Sequence, residues 1–173
     1  GTAITGLATY TYTGADLKAT IVTDAKVTSG SDDLTSGAIV NIYTDEACTT
    51  EATEVIDAGT YYVGAYGDGS NYASTSLVKK DFTVGKKAVT VTANATTVIY
   101  GNSITNDDFS VTYSGWVASV SDGTDTTLDS SVTGEVGFTS NYVAGTTAVN
   151  ASDIKITPVV TELTSTNYSF TAA

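Results

Sequence analysis

Apolar and polar residues trade places at every second position in many short runs of this chain. In "LATYTYTG", residues 7–14, Leu7, Thr9 and Thr11 alternate with Ala8, Tyr10 and Tyr12. In "AGTYYVGAYGDG", residues 58–69, Tyr61, Val63 and Ala65 alternate with Tyr62, Gly64 and Tyr66. A period of two predicts strands with one buried and one wet face. Tyr10 and Tyr12 are therefore expected on a common face. Further strands are predicted in "LKATIVTDAKV" (17–27), "AIVNIYTD" (38–45) and "SLVKKDFTV" (76–84), with the polar "TSGSDDLTSG" (28–37) as a loop. The Asp68-Gly69 pair, with Gly67 beside it, predicts a turn that folds the tyrosine-rich strand into a hairpin.

A second series of strands begins after Gly85, in "KKAVTVTANATTVIYG" (86–101), where Val89, Val91 and Ala93 alternate with threonine. It continues in "FSVTYSGW" (109–116), "VTGEVGFTSNYV" (132–143), "SDIKITPVV" (152–160) and "NYSFTA" (167–172). Pro158, the only proline, falls near a strand end, where its missing N–H does least harm. One helical turn is expected in "DGTDTTLDSS" (122–131), with Asp125 or Thr126 as its cap, and no longer helix anywhere. Both halves close on an Asn-Tyr loop, "SNYAS" and "TNYSF", followed by a short strand with Phe82 or Phe170. The repeated ending predicts two tandem small β domains, residues 1–85 and 86–173.

Composition agrees with an all-β reading. Thr and Ser make up about three residues in ten, and Met, His and Arg are absent. Without histidine there is no Ser-His-Asp or Cys-His arrangement and no imidazole metal ligand. A net charge of −12 with no arginine excludes nucleic acid and anionic lipid as expected partners. No apolar run approaches the roughly 20 residues needed to cross a bilayer, so direct membrane insertion is not expected. The single cysteine, Cys48, is expected to be buried packing. With no initiator methionine and no signal peptide, the chain is expected to be a piece of a longer protein.

The second half resembles the YGX-type MBG repeats of large bacterial surface proteins and adhesins. The resemblance rests on "VTVTA", Tyr100-Gly101, the Tyr-Ser-Gly of residues 113–115 and Asn167-Tyr168, and it covers residues 86–173. The first half, through "YTYTG" and "DAGTYYVGAYGDGSNY", is similar to the Ig-like modules that often precede such repeats. The resemblance implies an Ig-like β-sandwich followed by a β-sandwich or β-grasp-like MBG module. It also implies a tandem array, a location on the bacterial cell surface, and no catalytic residues.

Candidate sites are weighed against structural roles. Asp122, Asp125 and Asp129 supply hard oxygen atoms close in sequence, which is calcium chemistry, although aspartates also cap turns. No other cofactor is expected. Trp116 and Tyr113 could stack on the apolar face of a sugar, and Tyr62, Tyr66 and Tyr72 could do the same, yet core packing and sheet cladding explain all five as well. Lys155 lies between Ile154 and Ile156 and is expected to point outward by alternation rather than to form a cross-link. The acids cluster in turns, and each domain is small, which argues against a glycosidase.

The function expected is that of non-catalytic spacer or stalk modules of a bacterial adhesin-like protein, monomeric, with neighbouring domains of the same chain as partners. About three residues, Gly85 to Lys87, separate the two strand series, which predicts restricted motion and an elongated pair. The alternative is an adhesive module that binds a glycan or a host surface protein through exposed aromatics.

Overall fold

The computed structural model describes residues 1–70, 76–117 and 128–173. Strand far outweighs helix among these residues, in an all-β fold. They fall into two compact units, Gly1–Lys86 and Lys87–Ala173.

The first unit contains β1 (Thr2–Thr5), β2 (Tyr10–Thr11), helix α1 (Lys18–Asp24), β3 (Lys26–Ser29), β4 (Asp32–Asp33), β5 (Ala38–Tyr43), β6 (Gly59–Gly67) and β7 (Val78–Gly85). One sheet has the order β1-β3-β4 and the other β2-β7-β6-β5. Their core joins Ile4 and Val27 of the smaller sheet to Ile42, Val63, Phe82 and Val84 of the larger one, with Ile21 of α1 among them. Along β6 the alternation holds: Val63 and Ala65 are buried in this core with Tyr61 packed against it, while Tyr62 and Tyr66 lie on the other face. β6 and β7 pair antiparallel from Gly59↔Val84 to Ala65↔Val78. The last pair, Ala65 and Val78, is too far apart in sequence for the tight Asp-Gly turn that the sequence suggests.

Three local expectations are corrected. The segment 17–27 is not one strand: Lys18–Asp24 is helical. Asp16 starts the helix by accepting the Lys18 and Val55 amides at 2.9 and 2.8 Å through Oδ1. Leu17, Ile21 and Ala25 then recur at a spacing of four, so one stripe faces the core. The β-branched Thr20, Ile21, Val22 and Thr23 favour strand by propensity, but tertiary burial of that stripe overrides the preference. The segment 7–14 contributes only Tyr10–Thr11 as strand, because Gly6, at φ 80°, turns the chain before it. Tyr10 is buried, and Tyr12 is half-buried. The polar stretch 28–37 is not wholly loop either, since Thr28↔Asp33 and Ser29↔Asp32 make a small hairpin.

The second unit contains β8 (Lys87–Ala93), β9 (Val111–Ser114), β10 (Gly137–Ser140), β11 (Ile156–Val159) and β12 (Tyr168–Ala172). One sheet has the order β12-β8-β9, and β10 pairs with β11 antiparallel. Pro158 sits opposite Phe138 in the two-stranded sheet, where among the described residues β11 pairs on one side only, which suits a residue that cannot donate. Val89, Val91, Val111, Leu163 and the rings of Tyr113, Trp116 and Tyr168 are buried. Each buried aromatic removes about 150–250 Å² from water, a gross gain of roughly 4–6 kcal/mol at about 25 cal/mol per Å². Gly115 ends β9 at φ 104°, and a Cβ there would stand 2.5 Å from the Ala88 carbonyl oxygen. The Tyr-Ser-Gly sequence thus has a physical reason: only glycine lets the chain turn this close to β8.

Candidate functional site

The feature shared by the two units is the way each one is closed. In the first, β2 runs parallel to β7, with Tyr10 opposite Val84 and Thr11 opposite Gly85, and the Tyr12 amide donates to the Gly85 carbonyl at 2.8 Å. In the second, β8 runs parallel to β12 from Lys87↔Tyr168 to Val91↔Ala172. The Lys87 amide donates to the Asn167 carbonyl at 2.9 Å at one end, and the Ala173 amide donates to Val91 at 3.0 Å at the other. Each unit therefore lays an early strand alongside its last strand, pointing the same way.

Side chains anchor both pairs. The Tyr10 ring meets Phe82 edge-on at 5.7 Å, and Phe82 stacks on Tyr61 at 5.8 Å. The Tyr10 hydroxyl donates to Asp24 at 2.9 Å, at the end of α1. Burial, reinforced by the Asp24 carboxylate, pushes the Tyr10 phenol above its usual range despite an opposing hydrogen bond from the Ala8 amide. In the second unit Trp116 meets Tyr168 edge-on at 4.8 Å and Phe170 at 6.2 Å, with Tyr113 at 5.7 Å. Ser165 Oγ accepts both the Asn167 amide, at 3.1 Å, and the Tyr168 amide, at 3.3 Å. The closing Asn-Tyr thereby enters the core.

These positions redistribute the candidate contact residues. Trp116 is 5% exposed and Tyr113 is 3% exposed, so both rings are core packing and present no face to a ligand. Burial raises the Tyr113 phenol as well. Tyr62 and Tyr66 lie together on the outer face of the larger sheet, opposite Tyr43 and Ile39 of β5. Between them a Cβ on Gly64 would stand 2.7 Å from the Tyr43 ring and 3.1 Å from Leu77, so those side chains clad the glycine. Tyr72, Asp122 and Asp125 lie outside the described residues. Asp129 spends Oδ1 on the Ser131 amide at 2.7 Å and orders a turn. Among the described residues no group of three His, Cys, Asp or Glu could hold a metal ion.

Lys155 is exposed between the half-buried Ile154 and Ile156, as alternation requires. Cys48 is buried, and burial raises its thiol above the usual range. It occupies φ 55° in a loop organised by Asp45, whose carboxylate accepts the Thr50 amide at 2.7 Å and the Thr49 hydroxyl at 3.1 Å.

Sequence reasoning missed a cleft of about 500 Å³ in the second unit. It lies between the segment after β8 and the segment joining β10 to β11. Val98, Ile104, Phe109, Ile154 and Ile156 form its apolar walls, and Tyr100, Tyr142, Thr147 and Asn150 also line it. The two tyrosines cross it reciprocally. The Tyr142 hydroxyl donates to the Asn102 carbonyl at 3.0 Å, and the Tyr100 hydroxyl donates to the Gly145 carbonyl at 3.0 Å. The Tyr-Gly pair at residues 100 and 101 and the alternating Ile154 and Ile156 are the sequence signals that fall at this place.

Among the described residues no helix is long and apolar enough to cross a membrane. Comparison of the chain with protein-family models, curated proteins and solved structures found no match in any of the three.

Proposed function

We propose that the chain comprises two non-catalytic, load-bearing spacer modules of an adhesin-like protein on a bacterial cell surface. The observation that supports this reading is the parallel pairing of an early strand with the last strand in each unit. Tension on the second unit enters at the start of β8 and leaves at the end of β12. In a parallel pair those points lie at opposite ends of the ladder, so the strands must slide past each other and all the hydrogen bonds resist together. An antiparallel terminal pair would instead open one bond at a time. The threonine-rich surface and the family resemblance of the motifs point the same way.

Pulling direction tests the proposal. With Cys48 replaced by Ala, single cysteine handles are placed at Lys87 and Ala173 for one construction and at Lys87 and Asn167 for another. The first pair loads the β8–β12 ladder in shear and the second peels it from one end. Single-molecule unfolding should need markedly higher force in the first geometry. Equal forces in the two would remove the support for a mechanical role.

A further inference from the structure

We propose that the cleft of the second unit is a binding site for a neutral saccharide, which would add an adhesive activity to a load-bearing module. This inference does not rest on the mechanical reading. Three observations carry it.

The first is exposure. Ile99, Tyr100, Val143 and Val149, all on the two segments that border the cleft, are 72%, 56%, 56% and 68% exposed. Large apolar side chains gathered at one place on a soluble surface mark an interaction site more often than isolated ones do. The second is preorganisation. Each tyrosine spends its hydroxyl on the backbone of the opposite segment, so the rings are held across an open cleft rather than collapsing into it. A fixed site avoids the ordering cost that weakens binding by mobile loops.

The third is the chemistry of the lining. It contains no Asp, Glu or Lys, in a chain that carries 19 acids and 7 lysines. A charged ligand would find no countercharge there. Aromatic faces and aliphatic walls meet the C–H face of a pyranose ring, while Thr97 and Asn150 offer uncharged hydroxyl and amide partners for its hydroxyls, and the Thr147 hydroxyl, which accepts the Val143 amide at 2.8 Å, keeps its proton to donate. The volume also lies within the roughly 300–1,000 Å³ typical of small-molecule sites. An extended peptide is less well matched, because strand addition needs a regular strand edge, whereas of the lining residues only Ser140 and Ile156 lie in strands.

The test is NMR titration of the full chain with maltose, cellobiose, lactose and N,N′-diacetylchitobiose, and separately with N-acetyl-leucinamide as a probe for apolar peptide side chains. At least one disaccharide should shift the Tyr100, Tyr142 and Thr147 resonances with a Kd near about 1 mM, as for a small neutral ligand. Tyr100→Ala should weaken that binding about tenfold, whereas Tyr100→Phe, which keeps the ring face but loses the Gly145 hydrogen bond that fixes it, should weaken it by less, about threefold. Trp116 fluorescence verifies that each variant stays folded. The proposal is overturned if none of the four saccharides perturbs the cleft, if N-acetyl-leucinamide alone does so, or if the shifts fall elsewhere on the chain.

Discussion

Lys87 and Asn167 are joined by a backbone hydrogen bond of 2.9 Å, which starts the parallel ladder that closes the second unit. The ladder ends where the Ala173 amide meets the Val91 carbonyl at 3.0 Å. Since side-chain and amide directions repeat every two residues, the Thr171 amide faces β8 as the Ala173 amide does.

Thr171→Pro should therefore remove a donor from the middle of the ladder and leave a β8 carbonyl without its partner. The expected loss is about 1–3 kcal/mol for the second unit. Denaturation followed by Trp116 fluorescence measures this, because the only tryptophan of the chain reports on that unit. An unchanged midpoint would show that the ladder adds little to stability.

In the first unit Tyr10 binds β2 to the core through both its ring and its hydroxyl. Tyr10→Phe keeps the contact with Phe82 and loses the bonds to Asp24 and the Ala8 amide, for an expected cost of about 1–2 kcal/mol. Tyr10→Ala should cost about 3–5 kcal/mol, the range for emptying a buried aromatic site. Urea titrations monitored by circular dichroism would separate the two variants.

Trp116→Ala should destabilise the second unit by about 3–5 kcal/mol, whereas Tyr62→Ala, on the outer face of a sheet, should change the stability of the first by less than about 1 kcal/mol. Calorimetry distinguishes the outcomes. Comparable losses at both positions would mean that Tyr62 carries packing its half-exposed position does not suggest.

Stability should fall on both sides of neutrality. Asp16 is held below its usual range first by the Val55 amide and then by that of Lys18, Asp33 first by the Thr35 hydroxyl, and Asp45 first by the Thr50 amide. A carboxylate whose pKa is lowered on folding stabilises above the unfolded value of about 3.9, and the contribution is lost as the pH falls through the folded value. All three lie in the first unit. Tyr10, Tyr61 and Tyr113 are raised by burial, so their contribution is present below about 10 and is lost as the pH climbs through the folded values. Asp16→Asn should make the acid limb shallower while leaving the alkaline limb unchanged, which melting temperatures across pH would record.

Much of the strand framework was legible because alternation is a local signal. Val89 and Val91 on β8, and Val63 and Ala65 on β6, sit on the faces that a period of two assigns to them. Helix α1 was hidden because its β-branched residues imitate a strand, and the spacing of Leu17, Ile21 and Ala25 acquires meaning only against a core on one side. Trp116 and Tyr113 illustrate the converse limit. A ring suited to a sugar is equally suited to a core, and only the arrival of Tyr168 from the far end of the chain decides between them. The cleft was illegible for the same reason, since Tyr100 and Tyr142 meet the opposite segment across a long stretch of sequence.

The pairing of β8 with β12 also governs the order of assembly. During synthesis the second unit has its opening strand early and that strand's parallel neighbour only at the finish, so the sheet stays incomplete until the last residues emerge. Such a unit remains threadable for as long as it is being made, and it locks only once its tail has been delivered.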